Sequence, residues 1–451
     1  MALALSLVLG APAGALANPS SCTYGDPPAP SPRIVSGELD GLAFNVLLPS
    51  DYATSGRSYP VLYLLHGADY NENTWLTQSD VQQFTAAFTG ADAAIVVMPD
   101  GGPQGFYTDW YQGDEQWETY HLRRLVPYIA EQFRVRRGGA NRAVAGFSMG
   151  GFGALHYAAR HPGMFAAAGS FSGINHSTVP EDPYEGAPSA ERRAGPGSPG
   201  PASGARPRPD YKPPTDAGSG CGPQDGSDFG DRVNDAVVWH GHNPTDVAPD
   251  LRGVKLYVSA GAGVPCPDDL TGPPPGLTAA EAAVKQMNVA LDSALTDAGV
   301  EHTTDFPACG VHNMVGAQRG LHAFWPIMTS AFGRKPATRI ASYRSIDPDF
   351  AAWGWHFHAD PKRALEFLEV DRATRRGFTL TGSGTETVLT PAFYRPGRRY
   401  RVNGALPRRP RAGRHGRLRL RVDLGPAHTE KQFSRQESDP AFVLRSVRVR
   451  R

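Results

Sequence analysis

This chain of 451 residues is short of cysteine, nearly free of net charge and without a long apolar run beyond its first residues. Each shortage excludes something. Four cysteines, Cys22, Cys221, Cys266 and Cys309, with no C-x-x-C pair among them, do not make a zinc-binding pattern. Lys and Arg number 45 against 44 Asp and Glu, so the overall charge points to neither nucleic acid nor an acidic partner. No stretch of about 18 apolar residues follows the N-terminus, and no membrane-spanning helix is expected. What the chain has in quantity is glycine, 51, and proline, 41, the residues of long loops and linkers. The length leaves room for two or three domains.

The chemistry concentrates at Val144-Ala145-Gly146-Phe147-Ser148-Met149-Gly150-Gly151. A run of small and β-branched residues leads into Gly-x-Ser-x-Gly, and a helical pattern from Phe152 to Arg160 follows. That is the strand, tight turn and helix of a nucleophile elbow. The glycines two before and two after Ser148 remove side chains that would clash with the strand or the helix while the serine holds strained backbone geometry. The pentapeptide alone is commonly just a turn. Its flanking elements make Ser148 a candidate nucleophile.

From the start of the chain, Met1 to Ala17 is apolar and ends in Ala15-Leu16-Ala17, a small-x-small cleavage pattern. It reads as a signal peptide, although no Lys or Arg precedes the apolar stretch. Secretion follows, and with it an oxidising compartment in which four cysteines form disulfides. Residues 18–32 are a Pro- and Ser-rich tether. Ile34–Gly37 and Ala43–Pro49 read as a strand hairpin. Tyr59 to Gly67 is a continuous apolar strand of the kind buried on both faces of a parallel sheet. Ala93 to Met98 is another, ending at Pro99-Asp100-Gly101-Gly102. Thr119 to Arg134 is helical, and Ala143 to Ala145 feeds the elbow. Strands alternating with helices give an α/β fold with a doubly wound, mainly parallel sheet. Active sites in such sheets form at the carboxyl ends of strands, where the elbow and the His66-Gly67 and Asp100-Gly101 turns lie.

Further on, Ala166 to Ser172 reads as a strand, and 178–232 as a Pro/Gly/Ser-rich insertion, disordered or lid-like. Val254 to Ala260 is the next strand, Ala279 to Gly299 a helix, and Thr303 to Phe306 a strand leading to Gly310-Val311-His312-Asn313. From 336 to 451 the pattern becomes short β-type runs between Gly/Pro turns, a C-terminal all-β domain of sandwich type. Arginine is dense there, as in Arg408-Arg409-Pro410-Arg411. It reads first as a solvated strand face, with adhesion to an anionic cell-wall polymer as the alternative. His356 and His358 share a strand face with too few ligands for a metal, and a packed aromatic face is the expectation.

Several motifs together resemble the esterase D and antigen 85 group of α/β-hydrolases. They are Leu64-Leu65-His66-Gly67, Phe106-Tyr107-Thr108-Asp109-Trp110-Tyr111, Trp117-Glu118-Thr119, Gly146-Phe147-Ser148-Met149-Gly150 and His161-Pro162, in the group's order and spacing. The resemblance covers about residues 33–335 and implies an α/β-hydrolase fold. The group holds secreted carboxylesterases and mycolyltransferases. A serine hydroxyl is a poor nucleophile at neutral pH and needs a histidine base held by an acid. In this fold the order is Ser, then Asp/Glu, then His.

The resemblance places the acid on the helix at 279–299, at Glu281, seven residues before Asn288. Asp268-Asp269, nearer the strand end, are the main rivals, and Asp292 is a further candidate. It places the base at His312, with His322 in the closing helix as the alternative. The two backbone N–H groups of the oxyanion hole fall on Ala68 and Met149. His66, Trp110 and Asn313 fall at substrate-binding positions. His66 stands where the group's transferases carry Asp, and Asn313-Met314 stand where a small hydroxyl residue and Trp are usual. Both departures argue for hydrolysis rather than mycolyl transfer. Cys266 and Cys309 flank the acid and base loops and are expected to pair, leaving Cys22 with Cys221.

The expected activity is therefore a secreted serine carboxylesterase, with an acyltransferase or a non-catalytic binding protein as alternatives. The expected substrate is a small-molecule or envelope polysaccharide ester. No metal or organic cofactor is required, and no nucleic-acid partner is expected.

Overall fold

Val61-Leu62-Tyr63-Leu64-Leu65 is apolar at every position because both of its faces are covered. Val61, Tyr63 and Leu65 point into one buried cluster and Leu62 and Leu64 into another. The computed structural model describes residues 28–177, 228–267, 275–334, 340–431 and 442–451. The expected signal peptide, most of the tether, the Cys22–Cys221 pairing, the Asp268-Asp269 pair and residues 178–227 of the insertion lie outside these.

The strands of the first unit are β1 (Ile34–Leu39), β2 (Leu42–Leu47), β3 (Val61–Leu65), β4 (Ile95–Pro99), β5 (Arg142–Phe147), β6 (Ala167–Phe171), β7 (Lys255–Ser259) and β8 (His302–Asp305). They form one sheet in the order β1-β2-β4-β3-β5-β6-β7-β8. β1 and β2 pair antiparallel as the expected hairpin, and β2 pairs antiparallel to β4; the remaining neighbours are parallel. One face is covered by the elbow helix Met149–Arg160 and by Leu291 and Leu295 of the helix Pro275–Asp297. The other is covered by Leu321, Phe324, Trp325 and Met328 of the closing helix Met314–Ala331. Helices on both faces make this an α/β-hydrolase-type, doubly wound sheet.

Two local differences from the sequence reading have physical causes. The helix expected over Thr119–Arg134 contains a π-helical segment at Tyr120–Leu125 between α-helical Trp117–Thr119 and Val126–Gln132. Such widened turns leave no trace in apolar periodicity. Buried His121 lies in it, its Nε2 2.8 Å from the Asp100 carbonyl and its Nδ1 2.8 Å from the Tyr157 hydroxyl. The second concerns the end of the insertion. Core structure resumes by Asp228 rather than after 232, because Phe229 packs against Trp239 and Phe152, with ring centroids 4.9 and 6.0 Å apart.

The C-terminal strands are β9 (Ile340–Ser345), β10 (Asp349–Ala352), β11 (Trp355–His358), β12 (Leu368–Thr374), β13 (Gly377–Gly382), β14 (Thr385–Leu389), β15 (Arg401–Asn403), β16 (Arg419–Asp423) and β17 (Val443–Arg450). They make two antiparallel sheets, β10-β11-β14-β16 and β15-β17-β13-β12-β9. Alternate residues such as Trp355, Phe357, Leu420 and Val422 face Val370, Phe378, Leu380 and Val447 across a shared core. His356 and His358 occupy the outer side of β11, opposite buried Trp355 and Phe357, and His358 is ion-paired with Asp349. The sandwich is not a loose appendage. Ile346, Leu365 and Phe367 belong to the hydrolase unit's own apolar cluster.

Candidate active site

Ser148 sits between β5 and the elbow helix with φ 55° and ψ −118°, outside the comfortable region for a residue with a Cβ. Its neighbours explain the glycines. A Cβ on Gly146 would lie 2.4 Å from the Gly150 carbonyl oxygen, and one on Gly150 would lie 2.5 Å from that of His66. Only glycine fits at either place. The Ser148 N–H donates to the Phe171 carbonyl at 2.9 Å, fixing the turn to the end of β6.

Three side chains meet there in a line. Ser148 Oγ is 2.8 Å from His312 Nε2, and His312 Nδ1 is 2.7 Å from Glu281 Oε2. With the Nδ1 proton on the glutamate side, Nε2 presents its lone pair to the serine hydroxyl. Glu281 is 1% exposed, and a buried carboxylate needs donors. The Ser172 hydroxyl donates to its Oε1 at 2.7 Å, and the Gly261 N–H donates to the same oxygen. Ser172 reaches it from a left-handed backbone position, φ 48°, just past β6. Asn288 anchors the same helix, donating to the Gly173 carbonyl at 2.8 Å and accepting from Asn175 at 2.7 Å.

The loops that lead to Glu281 and carry His312 are tied together. Gly263 N–H donates to Gly310 O at 2.9 Å, Gly310 N–H returns a bond to Val264 O at 2.6 Å, and Cys266–Cys309 closes a disulfide beside them. Gly310, at φ 126°, lies so close to Gly261 that a Cβ on Gly261 would be 2.7 Å from its carbonyl carbon.

The other sequence candidates separate. His322 pairs with Asp80 at 2.9 Å and stacks on Phe84, and Asp292 pairs with His302 at 2.8 Å. Both are engaged away from Ser148. Met149 is the first residue of the elbow helix, so its N–H has no carbonyl one turn back to bond. Ala68 follows the His66-Gly67 turn at the end of β3. Asn313 caps the closing helix, its Oδ1 accepting from the Gly316 N–H at 3.1 Å, and Met314 is buried. Trp110 is half-buried, with its indole N–H donating to the Gly105 carbonyl at 3.2 Å.

His66 is a correction. It is 1% exposed: Nε2 accepts from the Gly101 N–H at 2.8 Å while Nδ1 faces the Gly67 carbonyl at 2.8 Å. Both nitrogens are used inside the protein, so the ring staples the end of β3 to the turn after β4 and offers nothing to a substrate. Tyr107, fully buried, supports the same turn by donating to the His66 carbonyl at 2.9 Å. Asp109 accepts from the Thr119 N–H at 2.9 Å and from its hydroxyl at 2.5 Å. Burial pushes the Asp109 carboxyl up to about 6. Within this stretch Tyr107 braces the turn and Asp109 braces the helix start at Thr119.

Ser172 and Gly261 escaped the sequence reading, because nothing local marks a serine 109 residues from the carboxylate it bonds. A buried polar cluster behind the site also escaped it. Glu118 there accepts from His156 at 3.0 Å, His161 at 2.6 Å and Arg160 at 3.3 Å. Glu118, His156 and His242 bring potential metal-ligating atoms within 4.8 Å of one another. With three cationic or N–H partners already on the carboxylate, the arrangement works as an ion-pair network, and its partners hold the Glu118 carboxyl well below its usual range despite burial.

The Esterase family model matches residues 40–244. An esterase of Mycobacterium tuberculosis is 48% identical over 136 residues, 29% of this chain. The chain spans only 28% of the length of that first curated relative. A protein of Mycobacterium intracellulare named diacylglycerol acyltransferase/mycolyltransferase Ag85B is 30% identical over 297 residues, 62% of this chain and 78% of its own. Among solved structures, that of Mycobacterium tuberculosis MPT51 is 23% identical with a TM-score of 0.43, covering 67% of this chain and 96% of its own. On the extent of the antigen 85 match and on the esterase model, the chain belongs to the esterase and antigen 85 group.

Proposed function

We propose that the protein is a secreted serine carboxylesterase working through an acyl-enzyme. The observation that carries this reading is the unbroken line of hydrogen bonds from Ser148 through His312 to buried Glu281. Ser148 Oγ attacks the ester carbonyl as its proton passes to His312 Nε2. Glu281, fixed by Ser172 and Gly261, holds the ring in the right tautomer and stabilises the imidazolium. The tetrahedral oxyanion is taken by the N–H groups of Met149 and Ala68, donors of a kind contributing about 3 kcal/mol each. The alcohol leaves with the proton from His312. Water activated by the same nitrogen then releases the acid. Export accords with the Cys266–Cys309 disulfide.

An acyltransferase is the second reading, favoured by the acyltransferase relatives. It differs only in the nucleophile that meets the acyl-enzyme. Asn313 and Met314, one capping a helix and the other buried, supply no aromatic ring for an acceptor, and the ring beside the base is that of buried Phe147, with centroids 4.8 Å apart.

The test is hydrolysis of p-nitrophenyl esters from acetate to palmitate by the wild type and Ser148→Ala. The expected loss in kcat is on the order of 10⁶, with about 10⁴ for Glu281→Gln. Wild-type protein that folds but cleaves none of the series would reject the esterase. Product esters formed with an added sugar would move the assignment to the transferase. Full activity in Glu281→Gln would remove Glu281 as the acid.

A further inference from the structure

Between Pro391 and Val422 the sequence holds eleven arginines and no aspartate or glutamate, which leaves 34 Lys and Arg against 44 Asp and Glu in the rest of the chain. The fold gathers this block onto one side of the C-terminal sandwich. β15 is the edge of the five-stranded sheet and β16 the edge of the four-stranded one. The segment between them folds back along both. Val402 N–H donates to Arg408 O at 2.9 Å, while Leu406 and Arg421 exchange backbone hydrogen bonds at 2.8 and 2.7 Å. The two edges become one surface bearing Arg401, Arg408, Arg409, Arg419, Arg421 and Arg450, all exposed.

Two features set this surface apart from a solvated strand face. Such faces intersperse both signs of charge, whereas on β15 and β16 the single acid is Asp423, at the end of the β16 outer face. Among the described residues none of these six guanidinium groups has a carboxylate partner, whereas the buried Arg363 has two, Glu366 and Glu386. The register also opposes like charges. Arg401 lies directly opposite Arg450, and Arg399 opposite Arg411. Like charges directly opposite in an antiparallel ladder destabilise it, and a bound anion removes that repulsion.

The chemistry narrows the partner. Tyr394 and Tyr400, in the same block, are 6% and 7% exposed and pack into the sandwich core, with Phe393 against it. The surface therefore lacks the rings on which bases stack. Neighbouring guanidinium forks suit a group that accepts from two arginines at once, which a phosphate does with oxygens diverging tetrahedrally and a carboxylate only within one plane. We propose that this side of the sandwich docks a linear phosphate-bearing polymer without bases, held through its oxyanions. The inference is independent of the active-site reading.

The test uses the full-length protein and immobilised inorganic polyphosphate, with polygalacturonate and single-stranded DNA of matched charge as competitors. Wild type is expected to bind polyphosphate, more weakly as salt rises. The variant R401Q/R419Q/R421Q/R450Q is expected to bind at least ten-fold more weakly with ester hydrolysis unchanged. If that variant unfolds, R408Q/R409Q, outside the strands, carries the same test with a loss of about three-fold. Failure of the wild type to bind, full binding by a folded variant, or better competition by polygalacturonate or DNA would each overturn the proposal.

Discussion

Ser172 gives the sharpest prediction at the scale of single residues. Its hydroxyl bonds the Glu281 carboxylate and touches no reacting atom in the proposed mechanism. Removing one hydrogen bond to a charged group costs about 1.5–3 kcal/mol, and here the loss should fall on the orientation of His312. Ser172→Ala should lower kcat for p-nitrophenyl acetate by about ten-fold with KM little changed. A change confined to KM would show that Ser172 contacts substrate instead. Ser148 was legible because its backbone strain forces two glycines into the sequence at fixed spacing. The contact of Glu281 with His312 was expected only through resemblance, since one glutamate in an amphipathic helix carries no local signal. The burial of His66 was not legible at all: its partner, the Gly101 N–H, is 35 residues away and belongs to the backbone.

His121 sets a pH dependence. Burial pushes its pKa down to about 4 from the ordinary 6.5, against weaker upward pulls from Asp100. The hydrogen bonds suit the neutral ring, with Nε2–H donating to the Asp100 carbonyl and Nδ1 accepting from Tyr157. Below pH 6.5 the unfolded chain takes up a proton that the folded protein refuses until about pH 4, so stability rises with pH across that window. The contribution across it is on the order of 3 kcal/mol. Urea unfolding of His121→Gln at pH 7 and pH 4.5 should show a shallower loss on acidification than wild type. An identical loss in both would remove His121 as the cause.

Among the elements, the loops after β7 and β8 matter most, because one leads to Glu281 and the other carries His312, the proposed acid and base. The Cys266–Cys309 disulfide closes a loop of 43 residues between them. By chain entropy alone such a closure is worth about 4 kcal/mol. Cys266→Ser/Cys309→Ser should lower the thermal midpoint and reduce kcat more than it raises KM, since the His312 loop then rests on the Gly263–Gly310–Val264 hydrogen bonds. Unchanged kcat in a destabilised variant would show that those bonds position the loop unaided. The pairing was expected because both cysteines flank those loops, although four cysteines allow three connectivities and the sequence alone does not choose among them. The buried strands could be read from continuous apolar runs. The π-helical turn at Tyr120–Leu125 could not, since a single widened turn shifts the apolar stripe by less than the stripe's own width.

At the scale of the whole molecule, the shift from α/β to all-β composition near residue 336 marked two units, but composition says nothing about how they meet. One meeting point is Arg160, at the end of the elbow helix; Arg344, bonded to Asp246 and Asp250, and Lys431, paired with Asp235, are others. Arg160 donates to Glu118 at 3.3 Å on the hydrolase side and to Asp347 of the sandwich at 3.0 Å, and its backbone carbonyl accepts from Tyr343 at 3.1 Å. Burial alone would lower the Arg160 pKa, yet Asp347 and Glu118 together raise it, so the guanidinium stays charged at any working pH. Beside this ion pair, Ile346 packs where a Cβ on Gly241 would come within 2.4 Å of it, and Leu365 and Phe367 extend the hydrolase core. Apolar cover and charge therefore couple the units at the base of the helix whose other end begins at Ser148. Calorimetry of the wild type should show one unfolding transition. Asp347→Asn leaves Arg160 with Glu118 but removes this tie to the sandwich, at a cost of about 2 kcal/mol for a partly exposed pair. The sandwich should then unfold ahead of the hydrolase unit, splitting the transition while hydrolysis at 25 °C persists. A single transition at the wild-type midpoint would mean that the apolar contacts of Ile346, Leu365 and Phe367, with the bonds of Arg344 and Lys431, hold the two units together without the Arg160–Asp347 pair.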